Sequence, residues 1–113
     1  MPNDAMTRSL HTIAFDATTP ADEGKRMTSK MWYGSPDGAF KTGFWAAQPG
    51  KSDIHYTKDE LCTLLEGKVR LTATDGTVAT YSAGDTFLIP NGFKGTWETI
   101  EPVRKFYAIY QRT

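Results

Sequence analysis

The sequence predicts an all-β protein, an antiparallel sandwich or barrel, and three observations carry that reading. From Lys30 onward, turn signals recur at short intervals: "SPDG" at 35–38, "PG" at 49–50, "TDG" at 74–76, "SAGD" at 82–85 and "PNG" at 90–92. Between them lie short runs rich in branched and aromatic residues, which favour extended backbone. No window sustains the three-to-four-residue spacing of apolar positions that a helix needs to bury one side.

The runs that predict strands are "KMWYG", "FKTGFWAA", "LCTLLEG", "KVRLTAT", "TVATY", "TFLI" and "VRKFYAIY". The clearest piece is "KVRLTATDGTVATYSAGD". It reads as a hairpin in which the pair Asp75-Gly76 takes the positive φ angles of a tight turn. "HTIAF" at 11–15 reads as a further short strand, and 16–29 as a polar surface loop or a single helical turn. The division expected is an N-terminal arm with that first strand over 1–29, packing on a barrel over 30–113.

Composition bounds the function. The chain has 113 residues, 39% of them hydrophobic and 12% aromatic, enough to bury a core and to exclude a disordered chain. Thirteen basic residues balance thirteen acidic ones, and no basic stripe stands out, so neither nucleic acid nor a membrane surface is an expected partner. The single cysteine, Cys62, excludes an internal disulfide and any paired-cysteine metal motif. The first fifteen residues do not read as a signal peptide, and no run approaches the length of a membrane span, so a cytoplasmic location is expected.

The period of two along a strand assigns faces. In "ELCTLLE", Glu60, Cys62, Leu64 and Glu66 share one side. In "GTWET", Gly95 and Trp97 share one, and in "DIH", Asp53 and His55 do.

Two spaced motifs carry a resemblance. "HYTKDELCTLLEG" places His55, Glu60 and Gly67 at intervals of four and six intervening residues. "GDTFLIPNG" places Gly84, Pro90 and Gly92 at intervals of five and one. In this order, separated by a hairpin, they resemble the two motifs of the cupins, small antiparallel jelly-roll barrels. The further stretches "DELCTLLEGKVRLTATDG", "AGDTFLIPNGFKGTWE" and "EPVRKFYAIYQ" resemble the single-domain cupins grouped with the (S)-ureidoglycine aminohydrolase-like domain. That resemblance implies a jelly-roll fold and a homodimer. Burial of an edge strand against a second copy would serve the same end.

A full cupin metal site takes two histidines and a glutamate from the first motif and a third histidine from the second. Carried over by spacing, those positions hold Asp53, His55, Glu60 and Gly95. What remains is an incomplete ligand set of Asp53, His55 and Glu60. It would favour Mn²⁺ or another divalent metal with a taste for oxygen and imidazole ligands. With one ligand lost at Gly95, no tightly bound metal is expected.

Glu60 is a candidate general acid or base, with His55 beside it. Lys105, in "RKFY", is the candidate partner that would neutralise Glu60. Tyr56, Cys62, Trp97 and Lys105 are the expected lining of a ligand pocket. Trp32, Trp45, Tyr33 and Phe106 are further aromatic candidates. Cys62 reads better as an inert buried thiol than as a nucleophile.

Two functions follow. One is a cupin that binds a small organic ligand without a tightly held metal. The other, implied by the resemblance, is a metal-dependent hydrolase releasing ammonia from a small ureido or amide compound.

Overall fold

The computed structural model describes residues 26–112. Of the arm expected over 1–29, residues 1–25, with the strand at 11–15, lie outside the described residues. Seven antiparallel strands follow: β1 (Met27–Gly34), β2 (Phe40–Ala47), β3 (Gly50–His55), β4 (Asp59–Ala73), β5 (Val78–Ser82), β6 (Thr86–Ile89) and β7 (Lys94–Tyr110). Among the described residues there is no helix. None, therefore, is long and apolar enough to cross a membrane.

Two long strands organise everything else. β4 and β7 pair along their whole lengths, from Asp59 opposite Tyr110 to Ala73 opposite Gly95. Each bends halfway and so belongs to two sheets. The first sheet runs β1-β2-β7-β4-β6, using the C-terminal half of β7 and the N-terminal half of β4. The second runs β3-β7-β4-β5, using the other halves. The ladder slips between Leu64 and Val69, where the strands cross from one sheet to the other. The two sheets close on a core of Cys62, Leu64, Val69, Leu71, Phe87, Ile89, Trp97 and Val103. This is the antiparallel barrel that turn spacing predicts, in the jelly-roll form that the cupin resemblance implies.

Three details differ from the sequence reading. "LCTLLEG" and "KVRLTAT" are one continuous bent strand, because bulges bend a strand without ending it. "GKSDIH" forms β3, although Ile54 is its only β-branched residue; ladder bonds to β7 hold it. In the hairpin turn, Gly76 takes the expected positive φ, of 92°. The turn closes from the Gly76 amide to the Ala73 carbonyl at 2.9 Å, and the Asp75 carboxylate accepts the Thr77 amide at 2.9 Å. β1 also spans the expected boundary at residue 30, since its pairing with β2 already begins at Met27.

Gly67 sits at the bend of β4 with φ 92°. A Cβ there would meet the Pro102 carbonyl and would come within 2.7 Å of Val103 Cα, both in the backbone of β7. The bend therefore depends on the missing side chain. Gly67→Ala is expected to lower unfolding free energy by about 3 kcal/mol, read as a shifted urea midpoint with the slope unchanged. A midpoint within error of the parent would show that the bend does not need glycine.

Candidate functional site

The inner face of the first sheet is set by pleat and register. On β7, residues 105, 107 and 109 point inward, opposite Leu64, Cys62 and Glu60 of β4. On β2, Trp45 lies opposite Lys105. From the second sheet, Ile54 of β3 and Trp97 of β7 face the same interior. Tyr56 follows β3 and is fixed by its backbone, whose amide donates to the Phe93 carbonyl at 2.8 Å. Its carbonyl accepts the Gly92 amide at 2.7 Å. Together Ser29, Trp45, Ile54, Tyr56, Glu60, Trp97, Lys105, Tyr107 and Ile109 line an open-mouthed cavity of about 290 Å³.

At its floor lies a buried ion pair. Lys105 Nζ donates to Glu60 Oε2 at 2.7 Å, and both side chains are almost wholly shielded from water. The ammonium also sits 4.5 Å from the centroid of the Trp97 ring and 4.8 Å from that of Trp45. These two indoles meet edge to face at 5.4 Å and 88°, so they form a corner with the cation in its angle. Trp97 is held in turn by its Nε1, which donates to Thr99 Oγ1 at 3.0 Å. Cys62 Sγ lies 3.7 Å from Lys105 Nζ.

Burial alone would raise the pKa of Glu60, but the Lys105 charge and hydrogen bonds from Lys105, Tyr56 and Cys62 outweigh it, and the net shift is downward. Glu60 is thus a carboxylate that accepts three donors. Its neighbours are pushed the other way. Burial, with the Glu60 charge and hydrogen bond adding to it, raises the Tyr56 phenol well above its ordinary range. Burial moves the Cys62 thiol up to about 12, against the opposing pull of Lys105. Burial and the Glu60 charge also raise Tyr107. The phenols and the thiol keep their protons, so Cys62 has no thiolate with which to act as a nucleophile.

The structure brings Tyr56, Glu60, Cys62, Trp97 and Lys105 together. It does not bring Asp53 and His55 to them. On β3, Ser52 and Ile54 turn inward while Asp53 and His55 turn out. The two outward residues line a separate groove with Lys51, Thr72, Lys94 and Gly95. Spacing counted His55 into the site, but the pleat is one residue out of phase with that count. Asp53, His55 and Glu60 therefore do not form a common ligand set, and His55 is not placed to act with Glu60. Among the described residues, no three His, Cys, Asp or Glu side chains gather as a metal would require.

Gly95 offers no room for an imidazole either. A Cβ there would run into the Thr72 carbonyl of the neighbouring strand. Of the other aromatic candidates, Trp45 lines the cavity. Phe106 faces outward, as its pairing opposite Thr63 and Phe44 requires, and Trp32 packs on it at 5.5 Å. Tyr33 pairs with Thr42 and faces outward as well. Sequence reasoning missed Ser29, Ile54, Tyr107 and Ile109. The signal for two of them was present, since 107 and 109 share the face of Lys105.

Glu60→Gln leaves a buried ammonium without its counter-charge and is expected to destabilise the fold by about 3–5 kcal/mol. Glu60→Leu combined with Lys105→Met removes both charges and should recover most of that loss. Because the folded pKa of Glu60 is depressed, its contribution is complete above the ordinary value of 4.5 and is lost as pH falls below it toward the folded value. Urea unfolding from pH 7 down to pH 3 should show this acid loss in the parent and a smaller one in the double variant. Equal losses in the two would remove Glu60 as its source.

Comparison with known proteins agrees with this architecture. The EutQ-like cupin domain family matches residues 34–107. A DUF861 family protein of Thermotoga maritima is 38% identical; the match covers 57% of this chain and 73% of that one, with a TM-score of 0.56. A DUF861 family protein of unknown function from Pseudomonas syringae is 28% identical at a TM-score of 0.68, over 74% of this chain and 36% of the longer relative. The EutQ protein of Clostridium difficile is 20% identical at a TM-score of 0.66, over 75% of this chain and 68% of that one, and shares the fold. No curated protein matches. By its two bent strands, its closed sheets and the match across most of its length, the chain belongs to the EutQ-like cupin domain family.

Proposed function

We propose that this cupin binds a small organic molecule in its barrel and does so without a tightly held metal. The observation that carries the reading is the cavity walled by Trp45, Trp97, Tyr56 and Tyr107, with the Glu60–Lys105 pair at its floor. Aromatic walls with a few polar groups at one end are what a small-molecule pocket requires, and the volume sits at the lower end of the usual range. The pair is net neutral, so the fitting ligand is neutral or zwitterionic. Such a ligand would stack on an indole and exchange hydrogen bonds with a carboxylate and an ammonium set side by side. The resemblance to the ureidoglycine aminohydrolase-like cupins makes flat ureido and amide compounds the first to try.

Against a metal stands the chemistry of the donors. The Glu60 carboxylate already has a cation in hydrogen-bond contact, and a divalent ion would have to displace it. The other groups beside Glu60 are protonated phenols and a protonated thiol, poor ligands at neutral pH. The hydrolase reading would need Asp53, His55 and Glu60 around one ion, across a strand whose two sides hold them apart.

The test is ligand binding by tryptophan fluorescence, with ureido compounds, amides and small zwitterions, in the presence and absence of EDTA. A ligand should quench Trp45 and Trp97 emission with an affinity that EDTA leaves unchanged, and Ile109→Trp, which fills the cavity, should abolish it. Near-stoichiometric transition metal in chelator-free protein would overturn the proposal. So would ligand binding that EDTA abolishes. Ammonia release with Mn²⁺ supplied would favour the hydrolase instead.

A further inference from the structure

Among the described residues Lys105 is the one buried lysine; the others are exposed or half-buried. A pair that served packing alone would be covered by apolar side chains on every side, but Lys105 and Glu60 both line the open-mouthed cavity. The ammonium has three protons to donate, and the site gives it a single oxygen acceptor, Glu60 Oε2 at 2.7 Å. Its other hydrogen-bond partner among the described residues is the Cys62 sulfur at 3.7 Å. The remaining contacts are the faces of Trp45 and Trp97, which hold a cation without a conventional acceptor. A planar cation with one N–H would meet the same surroundings with no donor unmatched. A protonated imine on the lysine nitrogen is such a cation, and its carbon substituent would point into the cavity.

We propose that Lys105 captures a small aldehyde as a protonated imine, with Glu60 carrying the proton between the steps. The proposal rests on the reading that the cavity takes a small organic molecule, and it names a carbonyl class for that molecule. A desolvated lysine in an apolar pocket is a known type of carbonyl nucleophile. Glu60 first accepts one proton from the ammonium across the 2.7 Å contact. The amine nitrogen then bonds to the carbonyl carbon, and a second nitrogen proton moves to the carbonyl oxygen, giving a neutral carbinolamine. Glu60 returns its proton to that hydroxyl, which leaves as water while the nitrogen lone pair closes the C=N bond. One aldehyde is consumed, one water is released, and nothing is oxidised or reduced. The pair ends as it began, a cation against a carboxylate, so the buried charges stay balanced throughout. Tyr107 lines the same cavity with its proton held and is a donor for the carbonyl oxygen. The Cys62 thiol also keeps its proton, so the amine is the nucleophile of this site.

The test treats the full chain with butanal or benzaldehyde and sodium cyanoborohydride near neutral pH, where the hydride reduces an iminium to a stable amine. Peptide mapping by mass should place the reduced adduct on Lys105. It should form there at least about 100-fold faster than on any exposed lysine, the lower end of a general acid–base contribution. Ile109→Trp, which fills the cavity, should abolish labelling of Lys105 and leave the exposed lysines unchanged. The parent's peptide map stands by itself if that variant fails to fold. Adducts confined to exposed lysines would overturn the proposal. Tryptophan quenching by ureido compounds in the same preparation separates the two readings: quenching without an adduct on Lys105 sinks the covalent step and keeps the pocket, and neither signal sinks both. Labelling of Lys105 that survives Ile109→Trp would overturn the route through the cavity.

Discussion

The contact between Lys105 and Glu60 constrains the rest of the barrel. Two charges buried in an apolar interior are tolerated only when each meets the other and every remaining donor and acceptor finds a partner. Here Glu60 takes three donors, and the ammonium lies in the angle of two indoles. Neither residue can shift by one position along its strand without exposing an unpaired charge to the core. The pair thereby disfavours slippage of β4 against β7, and the remaining strands are assembled on those two. Its geometry is also what gives the cavity a polar floor and aromatic walls at once.

That constraint explains how much could be read from the residues. Strands with dense β-branched and aromatic content announced themselves, the parity of "ELCTLLE" put Glu60 and Cys62 on one side, and Lys105 in "RKFY" stood out as the candidate partner of Glu60. β3 was harder to read. In "GKSDIHY" the residues with evident chemistry, Asp53 and His55, draw attention, and motif spacing places them inside. The apolar alternation says otherwise: Ile54 and Tyr56 are the residues that gain from burial, and they take the inward positions. A charged aspartate at position 53 would have to be desolvated with no partner in reach. Hydrophobic phase therefore prevails over motif count where the two disagree by one residue.

Gly95 illustrates a second limit. By motif spacing it reads as a ligand position that has lost its side chain. In the folded chain the neighbouring strand's backbone lies where a Cβ would go, so a side chain is excluded there. A sequence carries no sign of such a close approach, because the glycine that permits it and the glycine that merely tolerates a turn look alike. The turn glycine at 76 could be assigned from its neighbours; Gly95 required the ladder with Thr72 and Ala73.

The two faces of the first sheet follow from one alternation, and they have opposite needs. Inward, the residues between Trp45 and Ile109 must leave space, because a barrel filled by its own side chains has nowhere to hold a ligand. Outward, Leu61, Leu88, Phe40 and Tyr110 must lose theirs, because apolar surface of that extent is unfavourable in water at about 25 cal/mol per Å². A sheet thinned on its inner side by a cavity has less core packing to hold it than a filled sandwich. The proposed pocket and the exposed apolar row on the other side of the sheet are therefore two consequences of the same strand register.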